Sequence, residues 1–346
     1  MPKRIVSQAR SFKENPNHYP RKLKVRIYNA LTKKEPNYSL PKKPNKILIQ
    51  SQEKIGDGIL LFPLIYGLKS IFKDCEVHVL CSRKNVDLFS KLNLVDRTLI
   101  YRSGKFFWKA LALNEYDLFY NPKDHPSITS FKIAKRVKAK VKVCIADNQQ
   151  NQHYNYTLND DHLKLIIEKN CLLLREYEPK IDIRPWLPSF ESDKEIKKQI
   201  CINISADSNY RVWNIEKWIR LIDMISGDDP LIKINVFSMQ KDQSKSKILQ
   251  NKFGNIINNY PQFESILDST PIIQKSRIFI SSDTAMIHLS DVAQTPILGL
   301  FSADNRNLNR YKPFWTKHRI IQSDSLSIKN IDPEKVFSEY KKLVIN

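Results

Sequence analysis

The sequence predicts an α/β fold of two Rossmann-like domains facing each other across a cleft. Three observations carry this reading. Short apolar strands alternate with helical segments in two separate series, as parallel sheets covered by helices require. A charged stretch bearing Pro185 and Pro188 parts the two series. The 346 residues, at roughly 150 per domain, make about two domains. A content of 41% hydrophobic and 10% aromatic residues supplies both cores and excludes whole-chain disorder. The expected order is a basic N-terminal arm over 1–44, a Rossmann-like domain over 45–180 and a linker over 181–198. A second Rossmann-like domain over 199–330 and a closing helix over 331–346 follow.

Residues 1–45 hold twelve Lys/Arg and two Glu, a net +10 out of the chain's formal +21. Within this arm Leu23, Ile27 and Leu31 recur at four-residue spacing, one apolar stripe on a short basic helix. Such a helix either lies in a membrane interface or docks its stripe on the protein's own core.

The first series opens with a strand at 46–50, a turn through Lys54-Ile55-Gly56-Asp57, and a helix over about 58–72 that Pro63 kinks. Strands follow at 75–80, 98–101 and 116–120. Lys132, Lys135, Arg136, Lys138, Lys140 and Lys142 form a second cationic cluster. There, Val137, Ala139, Val141 and Val143 alternate with polar residues as in a half-buried strand. Its charged face is either merely solvated or lines the approach of an anionic substrate. The second series comprises a strand at 199–205, a helix at 214–225, strands at 232–237, 277–281 and 296–301, a helix starting at Thr284, and the closing helix at 333–343.

Several classes are excluded. The longest apolar run, Ile59–Leu68, has ten residues and contains Pro63, too short for the roughly 20 residues of a membrane span. No apolar core of a secretion signal follows Met1-Pro2-Lys3-Arg4. The five cysteines are odd in number, widely spaced and without a CxxC pair, which reads as reduced cytosolic thiols rather than disulfides or a zinc site. The seven histidines include no HxxxH pair, so no metal is expected. Phosphate-loop, dinucleotide and nucleophile-elbow motifs are absent, against P-loop NTPases, typical dinucleotide oxidoreductases and α/β-hydrolases. No RNA-binding or helix-turn-helix signature accompanies the +21, so nucleic acid is not an expected partner.

Three turns fall where strands of open α/β sheets present ligand sites, at their carboxyl ends beside helix N-termini. Gly56-Asp57-Gly58 offers a carboxylate that is either a helix N-cap or a general base aimed into the cleft. Ser205 to Trp213 is a polar loop in which Arg211 either binds a diphosphate bidentately or is solvated while Trp213 anchors a helix. In Ser281 to His288, Asp283 would cap the helix, leaving the Thr284 hydroxyl and nearby N–H groups for an anion. His288 shares the face of Thr284, as a ligand contact or as a structural histidine.

Together and in order, these turns resemble the bacterial heptosyltransferase family, glycosyltransferase family 9. Ile55-Gly56-Asp57-Gly58 through Pro63 matches its opening turn and helix, and Asn203 to Trp218 its mid-chain loop. Ser281-Ser282-Asp283-Thr284-Ala285-Met286-Ile287-His288 with Phe301-Ser302-Ala303 matches its closing run. The resemblance covers about residues 45–345 and leaves the basic arm unmatched. It departs at Ala285 and Ser302, which replace glycines, at Asn203-Ile204-Ser205-Ala206, where many members have N-P-G-A, and at Gln240, where an acid is usual.

The resemblance implies a GT-B fold and an inverting, metal-independent sugar transfer without a cofactor. The donor would be ADP-L-glycero-D-manno-heptose, the acceptor the inner core of lipopolysaccharide or lipooligosaccharide. A different nucleotide sugar is the alternative, and a degenerate donor site would leave a glycan-binding module. Asp57 would be the base. Ser205, Arg211, Gln240, Asp283, Thr284, Ala285 and His288 would hold the donor, and Gly56, Gly58, Lys123 and Lys135 the anionic glycolipid acceptor. The expected place is the cytoplasm, peripherally at the inner face of the inner membrane.

Overall fold

The computed structural model describes residues 18–102, 104–188, 198–260 and 263–345. The chain enters with α1 (His18–Ala30). The first series runs β1 (Lys46–Ser51), α2 (Ile55–Ile59), α3 (Phe62–Ile71), β2 (Glu76–Cys81), α4 (Val86–Ser90), β3 (Arg97–Ile100) and α5 (Lys105–Leu113). It continues with β4 (Glu115–Asn121), α6 (Ile128–Arg136), β5 (Lys138–Ile145), β6 (Tyr156–Leu158), α7 (Ile166–Asn170) and α8 (Leu172–Tyr177). The second series is β7 (Gln199–Asn203), α9 (Ile215–Asp228), β8 (Lys233–Phe237), α10 (Gln243–Phe253), β9 (Ile257–Tyr260), α11 (Thr270–Gln274) and β10 (Phe279–Ser282). It closes with α12 (Ala285–Val292), β11 (Ile297–Phe301), α13 (Asn305–Tyr311), β12 (His318–Gln322) and α14 (Pro333–Ile345).

Each series builds one parallel six-stranded sheet, ordered β3-β2-β1-β4-β5-β6 and β12-β11-β10-β7-β8-β9. The chain therefore reverses its direction of travel between β1 and β4, and again between β7 and β10. At such switch points the connections diverge to opposite sides and leave a crevice at the strands' carboxyl ends. The strands are apolar on both faces because helices cover both. Ile47 and Ile49 enter the core beneath α3, while Leu48 joins Leu111, Phe131 and Ile133 beneath α5 and α6. In the second sheet Ile200 and Ile202 pack with α9 and α14 residues such as Trp218 and Leu343. Cys201 and Phe279 face the other way, in a core shared with Leu289 and Val292 of α12 and with the first sheet. Trp213 anchors α9 as expected, its Nε1 donating to the Ile331 carbonyl at 3.0 Å. All five cysteines are free and buried. Burial pushes the thiols up, to about 11 at Cys75 and about 12 at Cys81 and Cys201.

Several expectations change. The helix expected over 58–72 is two helices, with Pro63 in the first turn of α3, where its missing N–H costs no bond. Gly56-Asp57-Gly58 thus lies within α2 rather than ahead of a helix. Leu23 and Ile27 of α1, and Leu31 in the turn that follows it, are exposed, and Val25 and Tyr28 from the opposite side pack on the sheet's helical cover. The stripe therefore does not dock on the core. Lys132, Lys135 and Arg136 lie on α6, and only the later lysines of that cluster lie on β5. The segment 181–188 is packed: Trp186 stacks on Tyr66 with ring centroids 6.2 Å apart, and the Ile183 carbonyl accepts from Trp315 Nε1 at 2.7 Å. Linker residues 189–197 lie outside the described residues.

The path after α13 hangs on one carboxylate. Buried Asp291, in α12, accepts from the backbone N–H groups of Phe314, Trp315 and Thr316 at 2.7, 3.0 and 2.9 Å. Asp291→Ala strands these donors, at a cost of about 3 kcal/mol. A scanning melt should show Tm lowered by roughly 6–12 °C; an unchanged Tm would mean that the loop finds other acceptors.

Candidate functional site

The two carboxyl edges meet, and a pocket opens at the β1/β4 switch point. Its walls include Gln50, Ser51 and Gln52 at the end of β1, Asp57 on α2, and Lys123 and Asp124 beyond β4. Arg310 and Tyr311 of α13 close it from the second sheet. Gln50 Oε1, Ser51 Oγ and Gln52 Nε2 are buried without a protein hydrogen-bond partner. Side chains of this kind suit a hydroxyl-rich ligand, since a buried polar atom left unpaired costs about 1–3 kcal/mol.

Asp57 is not an N-cap. Lys54 occupies that position, and Asp57 sits in the first turn of α2. Its Oδ1 accepts from the Tyr311 hydroxyl at 3.1 Å, across the cleft. Burial, aided by the charge of Glu53, raises its pKa, and the Tyr311 hydrogen bond acts in the opposite sense. A carboxylate raised in this way is a better proton acceptor.

Around it the charges are matched. Arg310 grips Asp124 bidentately from the other half, at 2.6 and 3.0 Å, and Lys169 approaches the same carboxylate at 3.1 Å. Burial would raise the Asp124 carboxyl, but hydrogen bonds from His125 and Arg310 and the charges of Arg310 and Lys169 hold it well below the usual range. Lys123 lines the pocket as expected, yet its ammonium pairs with Glu53. Lys135 is displaced from the site. It ends α6, and a helix leaving the carboxyl end of β4 finishes near the opposite edge of the sheet. Gly58 is also removed from the acceptor role: a Cβ there would meet Leu88 Cδ2 at 2.7 Å, so the residue serves packing of α2 on α4. Gly56 faces α12, where a Cβ would lie 3.0 Å from His288 Cδ2 and 3.4 Å from Ala285 Cα.

The second switch point gathers the other expected residues. Thr284, not Asp283, is the N-cap of α12, and no side chain caps that helix. The Thr284 hydroxyl instead accepts from Asn203 Nδ2 at 3.2 Å. Asp283 binds Arg211, whose guanidinium donates to the Asp283 carbonyl at 2.9 Å and lies 3.1 Å from its carboxylate. Ala285 begins α12 against Gly56. His288 is buried against Gly56 and Tyr311, and burial lowers its pKa to about 4. The ring is thus neutral where it packs between Gly56 and Tyr311. Ser205 is turned inward, donating to Asp242 at 2.8 Å and accepting from the Met239 N–H at 2.9 Å. Gln240 is exposed beside the same edge.

Sequence reasoning missed Tyr311, Arg310, Asp124 and Lys241, whose ammonium donates to the Ala206 carbonyl at 2.6 Å. For Asp124 and Lys241 the available signal was position, just beyond β4 and β8; Arg310 and Tyr311 end α13 and carried no such signal.

A model of glycosyltransferase family 9 (heptosyltransferase) matches residues 105–341. Escherichia coli heptosyltransferase WaaC, solved with ADP, is 14% identical, with 86% of this chain and 99% of that chain covered at a TM-score of 0.73. A family 9 glycosyl transferase from Veillonella parvula DSM 2008 is 13% identical, with 89% and 99% covered at 0.72. E. coli ADP-heptose lps heptosyltransferase II is 15% identical, with 87% and 98% covered at 0.69. WaaC has also been solved with ADP-2-deoxy-2-fluoro heptose. A sequence search of curated proteins finds no match. These likenesses establish the two-domain GT-B fold.

Gly56→Val places branched carbons where α2 touches α12. Small-angle scattering should give a larger radius of gyration, with the two sheets pushed apart; an unchanged radius would show that the contact yields locally. Tyr311→Phe removes the donor to Asp57, so the Asp57 pKa should rise further, read by carboxylate infrared titration.

Proposed function

The chain belongs to glycosyltransferase family 9, and we propose that it transfers a heptose from ADP-L-glycero-D-manno-heptose to the inner core of lipopolysaccharide or lipooligosaccharide. The carrying observation is the opposition of two groups across the cleft: a basicity-raised carboxylate, Asp57, and the uncapped N-terminus of α12 beside Arg211. In this reading Asp57 takes the proton of the acceptor hydroxyl as the oxygen attacks the anomeric carbon. The bond to the diphosphate breaks on the opposite side, so the configuration inverts in one displacement. Negative charge gathering on ADP is met by the free N–H groups of α12 and by the remaining guanidinium donors of Arg211. These fixed dipoles and charges supply what a metal ion would otherwise provide. The acceptor rests on the β1/β4 side, where Gln50, Ser51 and Gln52 offer their unpaired atoms to sugar hydroxyls. It is an anionic glycolipid, reached at the inner face of the cytoplasmic membrane. The ligands of WaaC support ADP-heptose as the donor.

One observation favours a different nucleotide sugar. Gln240 is exposed where an acidic residue is usual, and the nearby Asp242 is turned inward to Ser205 and Lys245. Calorimetric titration distinguishes the two: ADP should bind more tightly than UDP or GDP, and preference for UDP would reject ADP-heptose. Mass analysis of the glycolipid from a strain lacking the protein should show loss of one heptose and everything attached beyond it.

Asp57→Asn should lower kcat by about 10²–10⁴-fold and leave ADP affinity nearly unchanged. Because the base acts deprotonated, the rate rises with pH through the Asp57 pKa. Tyr311→Phe moves that acidic limb to higher pH; a limb that stays in place would show that another group titrates there.

A further inference from the structure

The helical layer on the outer side of the first sheet combines positive charge with exposed apolar side chains. It consists of α1, α6 and α5, which share one core beneath them through Val25, Phe131 and Leu111. These three helices carry nine Lys/Arg and no Asp or Glu. Large apolar side chains stand out from the same layer: Leu23 is 58%, Ile27 53%, Leu31 81% and Phe106 91% exposed.

The display is held rigidly. Tyr28 of α1 stacks on Phe131 of α6 at 5.9 Å. Asn29 donates from Nδ2 to the Gln149 carbonyl at 2.8 Å, and its own carbonyl accepts from Gln152 Nε2 at 2.9 Å. The inward side of α1 is therefore spent on fixing the helix. Leu23, Ile27 and Leu31, half a turn away, remain on the outside with Lys22, Lys24 and Arg26, all exposed.

We propose that the outer face of α1, α6 and α5 docks on an anionic phospholipid bilayer, with Leu23, Ile27 and Leu31 entering the headgroup region. Charge complementarity selects this occupant. Cations without interspersed acids are drawn to a negative surface potential, and an apolar ridge between them gains only where hydrocarbon lies within about 5–10 Å of the headgroups. A free phosphate would leave the ridge unused. The docking requires neither the donor nor the acceptor sugar, so it stands or falls separately from the transfer reaction.

Co-sedimentation of the full-length protein with vesicles tests it. Vesicles of about one-third phosphatidylglycerol in phosphatidylcholine should bind roughly tenfold more protein than phosphatidylcholine alone. The triple substitution Leu23→Ser, Ile27→Ser, Leu31→Ser should lose about tenfold of this binding. Lys22→Glu with Lys24→Glu and Arg26→Glu should lose it as well. Both variants alter exposed side chains, so their melts should match the wild type and ADP titration should be unchanged. Equal binding by the triple serine variant overturns the proposal, as does equal binding to neutral vesicles. So does a wild-type dimer that the serine variant dissolves, which would give the ridge to a second copy. Binding to single-stranded RNA that the serine variant retains, without vesicle binding, assigns the face to nucleic acid and overturns it too.

Discussion

At Gly56 there is almost no room for a methyl group, and the geometry of the cleft follows from that single approach. A Cβ would press on His288 Cδ2 at 3.0 Å and on Ala285 Cα at 3.4 Å. The start of α2 in one half can therefore lie directly on the start of α12 in the other. Once these ends touch, Asp57 comes within 3.1 Å of Tyr311, and Asp124 comes within reach of Arg310. Neither carboxylate has its arrangement without the opposite half. The site is thus a property of the closed pair of sheets rather than of either one. The paired charges around Asp124 are partly desolvated, so their net gain is modest, whereas removing one partner leaves a costly residue. They are better at fixing the register of the two halves than at adding stability.

The chain's excess of positive charge has a definite geography. In the cleft, Lys123, Lys169, Arg310 and Arg211 all face carboxylates. A ligand there meets dipoles and hydrogen-bonding groups first, and cations only by exchange with their present partners. Among the described residues, the cations of α1, α5 and α6 have no carboxylate partner, and they lie on the far side of the first sheet. Long-range attraction and local chemistry are therefore served by different surfaces.

Much of this was legible in the residue order. Apolar triplets such as Ile47-Leu48-Ile49 can satisfy both faces of a parallel strand, so the central strands and the two-sheet plan were readable, as was the motif run from Ser281 to His288. Of the edge strands β3 was readable, but β6, β9 and β12 were not: Ile257-Asn258-Asn259-Tyr260 is half polar because only part of it is covered. The position of Asp57 was readable, but its partner Tyr311 lies 254 residues away, and no local pattern encodes such a meeting. The stripe on α1 was visible as a periodicity, yet the direction it faces depended on Val25 and Tyr28 fitting against Phe131. His288 illustrates the remaining limit: a histidine's type suggests charge, but burial decides protonation, and here it leaves the ring neutral.

The five cysteines carry a consequence of their own. Each is buried within a sheet or helix core, and the thiols are shifted away from the thiolate form that reacts. The folded chain should consequently resist alkylating and spin-labelling reagents. A cysteine introduced on each lip of the cleft, one beyond β4 and one on α13, would be the only reactive pair. The distance between two labels could then be followed as nucleotide and acceptor enter, with every native side chain of the interior left in place.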